Sequence, residues 1–147
     1  RLRQHKAAVR DFSTAIALKP KFELALRDRA SAHAGLKRFA AAEKDLTALL
    51  KLNPGYWDGY YERGNMRAYQ GKFRPAIADF SVVIKKRPKS LMPRVARGMG
   101  YSAVRQYDRA LADLDVAVKL APTNKGVLNV RKRILQERAA HKKTKTQ

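Results

Sequence analysis

Four prolines, Pro20, Pro54, Pro88 and Pro122, stand 34 residues apart, and a fixed period of this length calls for a stacked array of one supersecondary unit rather than a single globular core. Other columns keep the same beat. A small residue recurs at Ala8, Ala42, Ala76 and Ala110, and a bulky apolar one at Phe12, Leu46, Phe80 and Leu114. An aromatic stands at Phe39, Phe73 and Tyr107, with His5 in that place in the first unit. Ala30, Gly64 and Gly98 form a further small column, which lets two helix backbones approach closely.

Apolar spacing near 3.6 residues, read together with the breakers, predicts helices over 5–19, 22–35, 39–52, 56–70, 74–87, 91–104, 108–120 and 125–142. Pro75 and Pro93 fall at helix starts, where a missing N–H costs little. Asn53-Pro54-Gly55, Arg87-Pro88 and Ala121-Pro122 close helices, because the residue before proline resists the helical conformation. The last helix offers Val127, Leu128, Ile134 and Leu135 to cover the array, with Arg131, Lys132, Arg133 and Arg138 on its outer face.

Residues 57–88 carry Tyr60, Gly64, Gly71, Phe73, Ala76, Phe80 and Pro88, and residues 91–122 carry Gly98, Tyr101, Tyr107, Ala110, Leu114, Ala117 and Pro122. This pattern resembles the tetratricopeptide repeat, W-x2-L-G-x2-Y followed by A-x3-F and P. Residues 23–54 are looser, with Leu26, His33 and Lys37 where the family prefers tryptophan, tyrosine and glycine. The resemblance implies an all-α fold, a right-handed α-solenoid of helix-turn-helix repeats with a C-terminal capping helix. One solenoid over 1–143 is expected, divided into a truncated repeat over 1–22, repeats over 23–56, 57–90 and 91–124, and a cap over 125–143, before a basic tail at 144–147. In that register residues 5–19 are the second helix of a pair whose first helix lies outside the sequence. The chain is therefore expected to be part of something longer, with Ala8, Phe12, Ala15 and Ile16 leaving apolar surface for self-association or another subunit.

Two charged columns also repeat: Asp11, Asp45, Asp79 and Asp113, and Arg29, Arg63, Arg97 and Arg131. Arginine can pair forward within a repeat (Arg29 with Asp45) or backward between repeats (Asp11 with Arg29). The backward pairing uses all eight residues and gives Arg131 a partner in Asp113, so it is the expected one. The ladder is read as structural, a guanidinium fork suiting a carboxylate between helices, and Arg63→Ala is expected to lower stability.

The residues offer little for catalysis. His5, His33 and His141 are scattered, His33 falling on a packing column and His141 in a charged tail. No metal-ligand spacing, cofactor loop or activated nucleophile stands out. No catalytic residue, cofactor or metal is expected, and the chain is read as a non-enzyme. The sequence holds no cysteine, which excludes disulfides and thiolate sites. No apolar run reaches the roughly 20 residues of a membrane-spanning helix. A cytoplasmic or organelle-matrix location is expected.

Binding is the better class. In the family this chain resembles, the first helix of each pair lines a concave groove. That implies a peptide groove of Arg27, Tyr61, Asn65, Tyr69, Met92, Val95 and Met99, flanked by Asp28, Ser31, Glu62 and Ala96, for a protein segment or amphipathic helix. The lysine, asparagine and arginine clamp by which some relatives hold acidic chaperone tails is not reproduced. Ser31, Glu62, Met92 and Ala96 occupy its places, and Glu62 has the wrong sign for a carboxylate. Positive charge is abundant elsewhere, with 33 Lys and Arg against 12 Asp and Glu. Lys37, Arg38, Lys72, Arg74, Arg105 and Arg109 cluster at the turns within successive pairs and are expected to form a basic edge. Such an edge suits RNA phosphates or an acidic protein, as in a ribonucleoprotein assembly. The alternatives are a plain peptide-binding adaptor and the repeat region of a larger enzyme.

Overall fold

The computed structural model describes residues 2–145. Arg1, Thr146 and Gln147, the ends of the expected first repeat and tail, lie outside the described residues. The chain is built from α-helices: α1 Leu2–Leu18, α2 Glu23–Gly35, α3 Phe39–Leu52, α4 Trp57–Tyr69, α5 Phe73–Lys86, α6 Leu91–Ala103, α7 Tyr107–Leu120 and α8 Lys125–Lys145. The expected boundaries agree within a residue or two except at two ends. The helix expected to begin at residue 5 already starts at Leu2, and the last helix runs on to Lys145, through much of the expected tail.

The repeating residues explain the repeating elements. Pro75 and Pro93 sit third in α5 and α6, inside the first turn, where the N–H has no helical acceptor. The turns after α2, α4 and α6 close in one way. Arg38 N–H donates to the His33 carbonyl and Lys37 N–H to that of Ala34, both at 2.9 Å. Lys72 and Gly71 do the same to Arg67 and Ala68 at 2.9 Å, and Gln106 and Arg105 to Tyr101 and Ser102 at 2.8 Å. This is the Schellman closure, which needs a left-handed residue just past the helix. The three such residues, Lys37, Gly71 and Arg105, have φ of 56°, 74° and 60°. At α8 the start is fixed by a side chain, Asn124 Oδ1 accepting from Val127 N–H at 3.1 Å.

The helices gather into two compact units, residues 1–72 and 73–147. In the first, α1 packs on α2, α2 on α3 and α3 on α4. Its core is Leu26, Ala30, Ala42, Leu46 and Leu49, flanked by Ile16, Tyr56 and Met66. In the second, α5 packs on α6, α6 on α7, and α8 on α7 and α6. There the core is Ala110, Leu111, Leu114 and Ile134, flanked by Val95, Tyr101, Tyr107 and Val130.

The columns read from the sequence are the buried positions. Ala42, Ala76 and Ala110 are each 0% exposed, and Leu46, Phe80 and Leu114 at most 2%. A Cβ on Gly98 would stand 3.2 Å from the Ala110 carbonyl and 3.3 Å from Leu114 Cγ, so the small column lets α6 lie close on α7. In α1, by contrast, no residue is buried, and Ala8 and Phe12 are only half-covered. Of the four residues expected to seat α8, Val127 and Ile134 are buried while Leu128 and Leu135 are not. Val127, Val130 and Ile134 share one helical face at i, i+3 and i+7, and Leu128 and Leu135 lie one residue off it.

Candidate binding surfaces

The charged columns come first, because they determine which cations are free to act. Arg29 donates from Nε and Nη2 to the two oxygens of Asp45 at 2.8 and 2.7 Å. Arg97 does the same to Asp113, at 2.7 Å for both bonds. Asp45 and Asp113 are 3% and 5% exposed. The backward pairing expected from the sequence is therefore corrected: the carboxylate lies 16 residues after its arginine, within the repeat. The contact toward the preceding repeat goes instead to a hydroxyl. Arg29 Nη1 donates to Ser13 Oγ at 3.0 Å, Arg63 Nη1 to Thr47 Oγ1 at 3.4 Å, and Arg97 Nη1 to Ser81 Oγ at 3.0 Å. Arg131, expected on Asp113, donates to Asp115 at 2.7 Å. Ser13, Thr47, Ser81 and Asp115 are themselves 34 apart, a column that the sequence reading missed.

The groove residues divide between the units. In the first, α2 and α4 border a cleft of about 320 Å³ that gathers Arg27, Asp28, Ser31, Glu62 and Asn65 over Leu46 and Met66. Arg27 is tied to its neighbour, Nε to Asp28 Oδ1 at 3.0 Å, so it is no free cation. Burial raises the Glu62 pKa, with repulsion from Asp58 adding to it and Arg27 partly offsetting it. Tyr61 is half-buried and does not line this cleft. Tyr69 is 68% exposed but has one face stacked on Phe39, with ring centroids 4.8 Å apart. In the second unit Met92 and Met99 are exposed, at 58% and 42%. Val95 departs from the expectation, because it packs against the core of that unit.

Among the expected edge cations, Lys37, Arg38, Arg74, Arg105 and Arg109 are exposed. Lys72 has a different job. Its Nζ lies 2.8 Å from Glu43 Oε2, Gln70 Nε2 donates to the same oxygen at 2.9 Å, and Arg67 Nε donates to Oε1 at 2.8 Å. Burial disfavours the Glu43 carboxylate, but the hydrogen bonds from Lys72, Arg67 and Gln70 outweigh it and hold its pKa down to about 2. Lys72 is thus held, with Arg67, on the Glu43 carboxylate.

The histidines pack. His5 lies over Gly35, its ring within 3 Å of where a Cβ there would stand. His33 is partly buried, its Nδ1 has no hydrogen-bond partner, and burial lowers its pKa. His141, expected in a charged tail, has its ring 5.6 Å from that of Tyr107, at an angle. Among the described residues no three His, Cys, Asp or Glu side chains gather as a metal site, and no helix is long and apolar enough to cross a membrane.

No protein-family model and no curated protein matches the sequence. Solved structures do match. The first tetratricopeptide domain of Spaghetti (RPAP3) bound to the HSP90 peptide SRMEEVD superposes with a TM-score of 0.74 over 80% of this chain and 93% of that one, at 19% identity. YrrB, described as a tetratricopeptide protein with an unusual peptide-binding site, gives 0.81 over 92% and 71%, at 13% identity. MamA from Desulfovibrio magneticus RS-1 gives 0.77 over 95% and 82%, at 20% identity. The chain has the tetratricopeptide-repeat fold. Its helix pairs, Schellman turns and buried alanine column are the local form that this fold takes here. At these identities the likeness fixes the backbone and leaves the surface to be read from the tetratricopeptide chain itself.

Proposed function

We propose that the protein is a non-enzymatic interaction module that holds a peptide segment in the cleft between α2 and α4, with a basic surface suited to a polyanionic neighbour. The carrying observation is the cleft's composition: an apolar floor of Leu46 and Met66 beneath convergent polar groups from two first helices, the usual make-up of a ligand site. Glu62 fixes the sign of the partner. A lysine or arginine side chain of a bound segment would stabilise the buried carboxylate and offset its repulsion from Asp58, whereas a terminal carboxylate would add a further repulsion. The HSP90-tail mode seen in the RPAP3 domain is therefore not the expected one.

Peptide display on the immobilised protein tests this reading. Selected segments should be enriched in a basic residue flanked by apolar ones and should lose binding to Glu62→Lys. Enrichment of acidic C-termini would contradict it. The basic surface favours RNA or an acidic protein as neighbour through its net charge of +21 and the exposure of Lys37, Arg38, Arg74, Arg105 and Arg109. Binding of this kind weakens steeply with salt, so a salt series of RNA anisotropy measures it.

A further inference from the structure

We infer that the cleft between the start of α7 and the end of α8 binds a compact anion carrying two or more adjacent phosphate groups. This sharpens the polyanion half of the proposed function and rests on it. The cleft holds about 530 Å³ and is lined by Arg105, Arg109, Arg138, His141 and Lys142, with Asp108 as its acid. Three arginines and a lysine against one carboxylate make the lining strongly basic. Asp108, which pairs with Arg138 at 2.9 Å, has a side chain 84% exposed, so it screens the site weakly.

Two features of the backbone point the same way. Arg105 holds a left-handed conformation, φ 60°, at the position where the preceding turn has Gly71. The conformation is that of the Schellman turn, shared with Lys37, and it sets Arg105 in the lining of the cleft. The α7 N-terminus opens beside these cations, and its N-cap, Gln106, makes no side-chain capping bond. The first N–H groups of α7 therefore lack an acceptor from the helix and add partial positive charge. Arg109 is already positioned, its guanidinium 5.8 Å from the Tyr101 ring centroid and its Nη1 bonded to Gln106 Oε1 at 3.2 Å.

The charge and shape select the ligand. One phosphate group carries about −1.5 to −2 at neutral pH, so a lining with several guanidinium groups suits more than one. Guanidinium forks suit phosphate oxygens. The cations converge on one concavity, whereas an extended backbone would call for a line of them. Inorganic polyphosphate, a nucleotide tail and a 5′-triphosphate RNA end share this chemistry.

Calorimetry at physiological salt should therefore show tripolyphosphate binding at least roughly tenfold more tightly than orthophosphate. Arg105→Gly and Arg109→Gln should each weaken it by a similar factor, while Lys119→Gln, at an exposed lysine in the last turn of α7, should not. Arg105→Gly relieves backbone strain, so lost binding there cannot be blamed on unfolding. Nucleoside triphosphate and 5′-triphosphate RNA, run in parallel, distinguish the sources by their affinities, and all should weaken in the same variants. No preference for tripolyphosphate, or equal losses in Lys119→Gln and Arg105→Gly, overturns the inference. So does 5′-hydroxyl RNA binding as tightly as 5′-triphosphate RNA, an outcome that leaves the extended basic edge standing. Absence of any RNA binding, with tripolyphosphate still held in the cleft, removes the edge and keeps the site.

Discussion

Arg131 donates from Nε to Asp115 Oδ1 at 2.7 Å, although Arg29 and Arg97, its counterparts three repeats and one repeat earlier, each fork onto an aspartate 16 residues downstream. The difference follows from the helix that carries the arginine: Arg29 and Arg97 lie on α2 and α6 and fork onto the second helix of their own pair, α3 and α7, whereas Arg131 lies on α8, which packs on α7 and α6. Asp115 takes the place that a hydroxyl holds at Ser13, Thr47 and Ser81. The last arginine thus finds its charge on the preceding helix pair.

Substitution should separate the two kinds of rung. Arg97→Ala removes both fork bonds from Asp113, which is 5% exposed and keeps only Arg94 at 3.7 Å, and should cost on the order of 3 kcal/mol. Arg131→Ala breaks a pair whose side chains are 38% and 50% exposed and should cost about 0–1 kcal/mol. Urea denaturation of both variants checks the ranking, and equal losses would refute it.

Lys37 and Arg105 occupy a turn position that suits glycine. Lys37→Gly and Arg105→Gly should each raise stability by about 0.5–1 kcal/mol, relief of left-handed strain exceeding the added entropy of the unfolded chain. Thermal melts read the change, and a lowered Tm in both variants contradicts the strain.

Glu43 should govern acid stability in the first unit. Its folded pKa, about 2, lies below the ordinary 4.5 of a free glutamate, so its contribution is fully present above pH 4.5 and lost as the pH falls toward 2. Glu43→Gln should destabilise the protein by on the order of 2 kcal/mol at pH 7 and flatten the acid limb of the stability curve. An acid limb unchanged in the variant would show that the Lys72, Arg67 and Gln70 bonds do not hold the carboxylate.

His33 acts in a neighbouring range of pH. Because burial lowers its pKa below 6.5, the unfolded state takes up its proton first, and stability falls as the pH drops through 6.5. His33→Tyr, which introduces the residue found in the same column at Tyr101, should remove that slope. It also removes the unpaired Nδ1, worth about 1–3 kcal/mol if fully recovered. Melts between pH 7 and pH 5 measure the slope, and an undiminished one in the variant contradicts the assignment.

The sequence carried the helices and the core because burial repeats with the chain: Ala42, Ala76 and Ala110 announce their common environment by spacing alone. It did not carry the pairing. Arg29 lies 18 residues from Asp11 and 16 from Asp45, both intervals repeat, and only the helix packing selects one. Arg131, which seemed to decide for the longer interval, answers to the unread Ser13 column. Lys72 looked like any turn lysine, because the acid that holds it, Glu43, is 29 residues away and belongs to no column. The α7–α8 cleft was half-visible in Arg105 and Arg109, while Arg138, His141 and Lys142 reach it only because α8 folds back on α7.

The most direct test of the account is amide chemical-shift mapping of the protein with a display-selected peptide. Shifts concentrated at Ala30, Ser31, Ala34, Asn65 and Met66, and absent in Glu62→Lys, are the predicted result. Shifts confined to the turns at Lys37 and Arg105, or to the surface of α1, would contradict a peptide site between α2 and α4.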